Sequence, residues 1–231
     1  MKNFAFIFAR GGSKGLPGKN IKPLAGKPLL QYSVDTAIAS PSIDKVFVST
    51  DDSDIAKVAV ESGAILIERP AELATDTSPE WLSWRHAIEW AEEHYGKFDG
   101  FVSLPATSPL RAVEDVEAAI EKRSKVDADI CISVTPASRS PFFNMVKETQ
   151  DGFVELVNKP KSDVTRRQDA PEVFDITTVV YATTPGFVLN NYGLFTGKVI
   201  SIEVPKVRAV DIDDIYDFRM AEAIISELAI N

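Results

Sequence analysis

The chain has 231 residues, 45% apolar and 26% charged, which is ordinary globular usage, excludes a disordered chain and is enough to bury a multi-layer core. Lys and Arg number 25 against 34 Asp and Glu, a net charge of −9, so no basic excess exists to release counterions from a nucleic-acid backbone. Any anionic ligand must therefore be held by a local cluster of cations. The lone cysteine, Cys131, excludes an internal disulfide, and its neighbours Ile130 and Ile132 point to a buried thiol in a reducing, cytoplasmic setting. No stretch approaches the roughly 18 consecutive apolar residues of a membrane span.

The opening run from Met1 to Ala9 is short and apolar, stops at Arg10 and is followed by no small-residue cleavage site, so it reads as a buried first strand rather than a signal peptide. Further strands are expected at 45–49, 64–68, 100–104 and 128–134, after the first at 4–9. Helices are expected between them near 28–40, 53–63, 79–94 and 113–126. Strands separated by helices of 10–15 residues imply βαβ units and a mostly parallel sheet. The runs are continuously apolar, as strands covered on both faces are. After Pro136 the rhythm changes. Segments 142–148 and 153–158 flank Thr149-Gln150-Asp151-Gly152, a hairpin turn. A polar stretch at 159–172 precedes strands at 177–183 and 198–204, and a closing helix at 213–228 carries Phe218, Ala221, Ile225 and Leu228 on one face. The expectation is one α/β domain over 1–231, Rossmann-like, with helices on both faces of the sheet and a β-rich arm inserted at about 137–176.

The segment Ala9-Arg10-Gly11-Gly12-Ser13-Lys14-Gly15-Leu16-Pro17-Gly18-Lys19-Asn20 follows the first strand directly, at the carboxyl end where open α/β sheets bind ligands. Glycines let backbone N–H groups approach an anion, and Arg10, Lys14 and Lys19 add three cations in an otherwise acidic protein, a combination suited to a triphosphate. A Walker A loop ending at Gly18-Lys19 would need Gly at position 13 and Ser or Thr at position 20, where Ser13 and Asn20 stand. The dinucleotide fingerprint G-x-G-x-x-G is also absent from this loop. Near the other end, Asp211 and Asp213 lie two apart, so an extended segment turns both carboxylates to one cation. Asp213 also reads as the N-cap of the closing helix, and the residues alone leave these two readings open. Trp81, Trp84, Ile88 and Ala91 recur at helical spacing as a core face. His86 and His94 on the same helix have no partner at metal-ligand spacing.

In addition to the loop, the chain carries Lys22-Pro23-Leu24-Ala25-Gly26-Lys27-Pro28-Leu29, Val48-Ser49-Thr50-Asp51, the run from Arg69-Pro70 to Asp76-Thr77, Thr107-Ser108-Pro109-Leu110-Arg111, Arg167-Gln168 and Asp211-Ile212-Asp213. In this order, over nearly its whole length, the chain resembles the acylneuraminate cytidylyltransferase (CMP-sialic acid synthetase) family. The resemblance implies a nucleotidyltransferase fold and transfer of CMP from CTP to the anomeric hydroxyl of a nonulosonic acid sugar, with release of pyrophosphate. It implies catalytic roles for Arg10, Lys19 and Asp211, and nucleotide contacts from Arg10, Gly11, Gly12, Lys14, Lys19, Asn20, Arg69 and Ser78. It places sugar contacts at Thr107, Arg167, Gln168 and Asp175, and Mg²⁺ on Asp211 and Asp213. It also implies a homodimer in which the arm reaches the partner's sugar site.

Two departures bear on the sugar. Pro105-Ala106 stands where many sialic acid enzymes carry Gln-Pro, and Asp175-Ile176-Thr177-Thr178 replaces a pattern often read as Arg-Pro-Asn-Gly. An eight-carbon 2-keto acid is the neighbouring alternative. A non-catalytic nucleotide-binding module on the same fold is the alternative from another class, since fold alone does not fix function.

Overall fold

The computed structural model describes residues 1–159, 164 and 166–228, so part of the polar stretch expected at 159–172 lies outside the described residues. In chain order, β1 (Asn3–Phe8) leads into the glycine-rich loop, followed by the short strands β2 (Pro23–Leu24) and β3 (Lys27–Pro28). Then come α1 (Leu29–Ala39), β4 (Lys45–Thr50), α2 (Ser53–Glu61), β5 (Ile65–Glu68), α3 (Glu80–Tyr95), β6 (Gly100–Ser103), α4 (Val113–Lys125) and β7 (Ile130–Pro136). The arm hairpin is β8 (Val146–Glu148) with β9 (Val154–Leu156). The chain returns as β10 (Phe174–Thr183), then α5 (Pro185–Asn190), β11 (Val199–Glu203) and α6 (Ile215–Leu228).

Seven strands form one sheet in the order β11-β7-β10-β6-β1-β4-β5, parallel except where β10 runs antiparallel to both β6 and β7. The continuously apolar strands are explained by this layering. In β1, Ala5 and Ile7 pack with α1, α2 and α4 on one face, while Phe4 and Phe6 pack with α3 and α5 on the other. Phe6 stacks on Phe47 and Phe101 at 5.1 and 4.8 Å between ring centroids, and each such buried ring contributes about 1.5–3 kcal/mol through its apolar surface. Trp81, Trp84, Ile88 and Ala91 belong to that same core, as their helical spacing predicts. A third cluster seats α6 through Phe218 and Ala221 against Leu24, Leu29 and Ile212, which brings the last helix beside the loop after β1.

Some elements differ from the sequence expectation. The strand expected at 177–183 starts at Phe174, because its first residues pair with Ser133–Pro136 of a longer β7 and extend as a ribbon toward the arm. The β2–β3 hairpin turns through Ala25 and Gly26, both at positive φ (46° and 84°), over too few residues for any hydrophobic period to register. Helix α5 was also missed, although Thr184-Pro185 is a start signal: the Thr184 hydroxyl accepts from Phe187 N–H at 3.1 Å and Pro185 occupies the first turn.

Cys131 is fully buried in β7, and burial pushes its thiol up to about 11, so it stays protonated across the neutral range. Native protein is expected to leave a thiol-reactive disulfide reagent untouched at pH 8 and to react with one equivalent after denaturation. Rapid labelling of the folded chain would contradict this packing. No helix among the described residues is long and apolar enough to cross a membrane.

Candidate active site

The parallel strands β1, β4, β5 and β6 all end on one edge of the sheet, and the loops that leave them surround a cleft of about 630 Å³. The cation loop follows β1, Arg69 follows β5, and the turn at 104–111 follows β6. Ile212 N–H donates to the Thr107 carbonyl at 2.9 Å, which fastens the Asp211–Asp213 segment across the cleft from Arg69. Four cations (Arg10, Lys14, Lys19 and Arg69) and four carboxylates (Asp76, Glu80, Asp211 and Asp213) line this space.

The two ends of the chain meet here. Lys19 Nζ donates to the Ile212 carbonyl at 2.7 Å and reaches Asp213 Oδ1 at 3.4 Å. Gly15 lies so close to the Asp213 carbonyl that an added Cβ would stand 2.3 Å from that oxygen. Asn20 is buried and donates to the Arg10 carbonyl at 3.1 Å, bracing the loop from inside.

Asp211 and Asp213 are now distinguishable from helix caps. The cap of α6 is Asp214, whose Oδ1 accepts from Tyr216 and Asp217 N–H at 2.7 and 3.1 Å, while Asp217 returns a carboxylate to the N–H groups of Asp213 and Asp214. The Asp213 side chain is left 80% exposed toward the cleft, with Lys19 as its ion-pair partner. Asp211 is largely enclosed, and its Oδ1 is buried with no hydrogen-bond partner. Burial raises its carboxyl above the usual range, opposed by hydrogen bonding with Thr107, raised further by Asp213, and opposed again by Thr178 and Lys19. An orphaned carboxylate oxygen, with a second carboxylate lining the same cleft, fits a hard divalent cation that completes its shell with phosphate oxygens and water. Among the described residues no cluster of three or more metal-ligating side chains exists, so the pair alone could not enclose an ion.

Arg69 is buried at the other wall. Its guanidinium donates to Ser49 Oγ at 3.2 Å and to the Ser49 carbonyl at 2.8 Å, and lies 5.6 Å over the Phe8 ring. Burial holds it below the ordinary arginine range, with Asp51 and Glu80 opposing. Ser78 lines the same wall with a buried hydroxyl that has no partner. Thr107 also lines the cleft.

The structure does not gather every expected residue. Gly11 and Gly12 are not cleft residues: Gly11 N–H donates to Asp51 Oδ1 at 3.1 Å, away from the cations. Arg167, Gln168 and Asp175 lie outside this chain's own cleft, on the arm and its ribbon. The Arg167 guanidinium donates to the carbonyls of Ala137 and Ser138 at 2.9 and 2.8 Å, and Asp175 accepts from Ser138 N–H at 3.3 Å.

Two carboxylates that sequence reasoning passed over face the site. Glu80, in the first turn of α3, is reachable by solvent yet hemmed in by the cleft walls; burial raises its carboxyl, while the Trp84 Nε1–H donor at 3.2 Å and then Arg69 oppose that rise. Asp76 bridges two loop cations, Lys14 and Arg10, at 2.6 Å each, and these donors, Lys14 foremost, hold its carboxyl below the usual range. Asp76 thus occupies the positions an incoming phosphate would need. Asp76→Asn is expected to tighten binding of inorganic pyrophosphate, measured by calorimetry, with no loss of thermal stability because the pairs are exposed. Weaker binding would mean that Asp76 orients the two cations instead of competing for them.

A family model described as cytidylyltransferase matches residues 4–184. The chain is 34% identical over 223 residues to post-translational flagellin modification protein B of Campylobacter coli, covering 96% of this chain and 94% of that protein. It is 33% identical over 222 residues to CMP-N,N'-diacetyllegionaminic acid synthase of Campylobacter jejuni, covering 95% and 93%. Among solved structures, CMP:2-keto-3-deoxy-manno-octonic acid synthetase complexed with CTP superposes with a TM-score of 0.72, covering 99% of this chain and all of that one. At 17% identity that likeness speaks for the fold.

Proposed function

The chain belongs to the cytidylyltransferase family, and from that premise we propose that it transfers CMP from CTP to the anomeric hydroxyl of a nonulosonic, sialic-acid-like sugar. The observation that carries this reading is the convergence of Lys14, Lys19 and Arg10 with Asp211 and Asp213 on one cleft. The hydroxyl oxygen forms a bond to the α-phosphorus, the bond from that phosphorus to the bridging oxygen of pyrophosphate breaks, and the hydroxyl proton is released. Such transfers depend mostly on positioning and on stabilising spread charge. Lys19 and Arg10 offset the charge that builds on pyrophosphate as it leaves, with Lys14 on the outer phosphate. Arg69 and Ser78 hold the base, the former buried and fixed by Ser49, the latter with a free hydroxyl. Asp211 and Asp213 would hold Mg²⁺, which when bound neutralises phosphate oxygens and lowers the pKa of the attacking hydroxyl. Relatives of matching length support a nonulosonic acid over an eight-carbon acid, among them one named CMP-N,N'-diacetyllegionaminic acid synthase and one named pseudaminic acid cytidylyltransferase.

A panel of nonulosonic acids and an eight-carbon 2-keto acid, each with CTP and Mg²⁺ and read by pyrophosphate release, tests this assignment. Turnover with the nonulosonic acids is expected. Turnover with the eight-carbon acid alone would transfer the assignment to that class, and CTP binding with no pyrophosphate from any sugar would favour a non-catalytic module.

The same reading includes a dimer. The β8–β9 hairpin forms a two-stranded sheet of its own, which is marginal alone in water. It holds Phe153 and Val154 at 74% and 67% exposure, and Val146, opposite Leu156, at 58%. Packing against a second copy would cover these residues and bring Arg167, Gln168 and Asp175 to the partner's sugar site. Light scattering is expected to give twice the mass of the chain, and Val154→Asp to shift it toward one. A monomeric wild type would end the dimer proposal and leave the cleft chemistry standing. The buried unpaired thiol of Cys131 supports action in a reducing cytoplasm.

A further inference from the structure

Arg111 is buried to 4% exposure and, among the described residues, has no carboxylate in hydrogen-bond reach. Its guanidinium spends its donors on neutral oxygens: Nε to the Val179 carbonyl, Nη1 to Ser33 Oγ at 2.9 Å, and Nη2 to the carbonyls of Pro105 and Thr178 at 2.7 and 3.3 Å. Asp115, the nearest acid, is engaged in a bidentate pair with Arg208 at 2.8 and 2.9 Å. Burying a guanidinium without a counterion is costly and pulls its pKa down to about 9. A methionine or leucine would fill the volume without that penalty, so the geometry it enforces is what needs explaining.

That geometry is a break in the sheet. Thr177 pairs with Ser133 and Tyr181 with Ile132, so Thr178, Val179 and Val180 form a bulge on β10 with no partners opposite them in β7. The bulge carbonyls of Thr178 and Val179 are the ones that Arg111 holds. Ser133 Oγ secures its far side, accepting from Val180 N–H at 2.9 Å. The bulge turns Thr178 into the cleft that Asp211 also lines, where its hydroxyl lies 2.7 Å from Ser108 Oγ. Arg111 also grips the Pro105 carbonyl, at the start of the turn that carries Thr107, whose carbonyl accepts from Ile212 N–H at 2.9 Å, next to Asp211 in the chain. The bulge that shares the cleft with Asp211 and the turn fastened to its neighbour Ile212 are therefore tied to one buried fork.

We propose that Arg111 is a positioning residue that, through the Thr178 bulge and the Thr107 turn, sets Asp211 for its divalent cation. This rests on the assignment of Asp211 as a cation ligand in the proposed reaction. Groups one step behind a metal ligand typically change metal affinity by about 10–100-fold when removed. A merely structural arginine would instead change stability and every ligand alike.

The test uses Mn²⁺ as the probe, titrated by electron paramagnetic resonance into full-length protein with CTP, alongside calorimetric CTP binding without metal. Arg111→Lys keeps the charge and loses the fork; Thr178→Val keeps the shape and loses the hydroxyl, and decides the matter should the first variant fail to fold. Both are expected to weaken Mn²⁺ binding at least tenfold while metal-free CTP affinity stays within about twofold. Wild-type Mn²⁺ affinity in a folded Thr178→Val, or equal losses for metal and nucleotide, would overturn the positioning role. A wild type that binds CTP but no Mn²⁺ would remove the cation assignment beneath it, and the positioning role with it.

Discussion

Asp211→Ala is expected to lower kcat by about 10²–10³-fold without loss of folded stability, and Lys19→Met to do the same to turnover. The two effects have different origins. Asp211 is a carboxylate enclosed by protein with one oxygen unsatisfied, and burial raises its carboxyl above its value in an unfolded chain. An acid raised on folding destabilises the fold while ionised, at pH above its unfolded value, and that penalty fades as pH falls and the group protonates. Removing the side chain therefore leaves thermal stability at neutral pH equal or higher, even as the reaction loses the cation site proposed for it. A group held at the expense of the fold marks a functional position. Lys19 differs: its ammonium joins the loop to the Ile212 carbonyl and Asp213, so Lys19→Met removes both the phosphate contact proposed for it and a tie between the two ends of the site. Assays at saturating CTP and Mg²⁺, with melting curves for each variant, check both. Near wild-type rates in both variants would remove this mechanism.

Much of this site could be read from residue order, because the sheet places consecutive loops on one edge. Once Phe4 to Phe8 is a buried parallel strand, the glycine-rich loop must lie at its carboxyl end, and Arg69 must follow the third strand on the same edge. The Asp211–Asp213 pair remained ambiguous because the next residue, Asp214, has the same chemistry; only the bonds of Asp214 to Tyr216 and Asp217 show which acid caps α6. Asp76 was illegible as a partner of Arg10 and Lys14. More than sixty residues separate them, and the contact depends on how the loop after β5 folds back across the end of β1. The Thr178 bulge was hidden for another reason. Thr177-Thr178-Val179-Val180 is a β-branched run that reads as unbroken strand, and the break comes from Arg111 and Ser133, whose oxygen and nitrogen partners have no sequence period. Arg167 and Gln168 lie in a short turn beyond the β8–β9 hairpin and Asp175 at the start of β10 opposite Thr135, outside the cleft, so no rule of sheet edges says where they act.

Gly15→Ala is expected to cut turnover about 100-fold while the protein folds normally. The added methyl would stand 2.3 Å from the Asp213 carbonyl oxygen, a backbone atom that cannot rotate away. Restoring ordinary contact requires the loop and the Asp213 segment to part by about 1 Å, and a misplacement of that size at reacting groups costs roughly 10²-fold in rate. The separation falls where it matters: Lys14 and Lys19 ride on the loop, and Asp211 and Asp213 on the other side. Stability is not expected to follow, since the loop is exposed around Gly15 and the apolar clusters lie beneath it. Gly186→Ala is the control, in α5 with nothing within 4 Å of the new methyl, and should keep full turnover with a slight gain in melting temperature. Full activity in Gly15→Ala would mean that loop and carboxylates need not meet closely. The convergence of cations and acids on one triphosphate would then lose its geometric basis. A loss of activity confined to KM for CTP, with kcat intact, would restrict Lys14 and Lys19 to binding and place charge stabilisation on Arg10 and the cation alone.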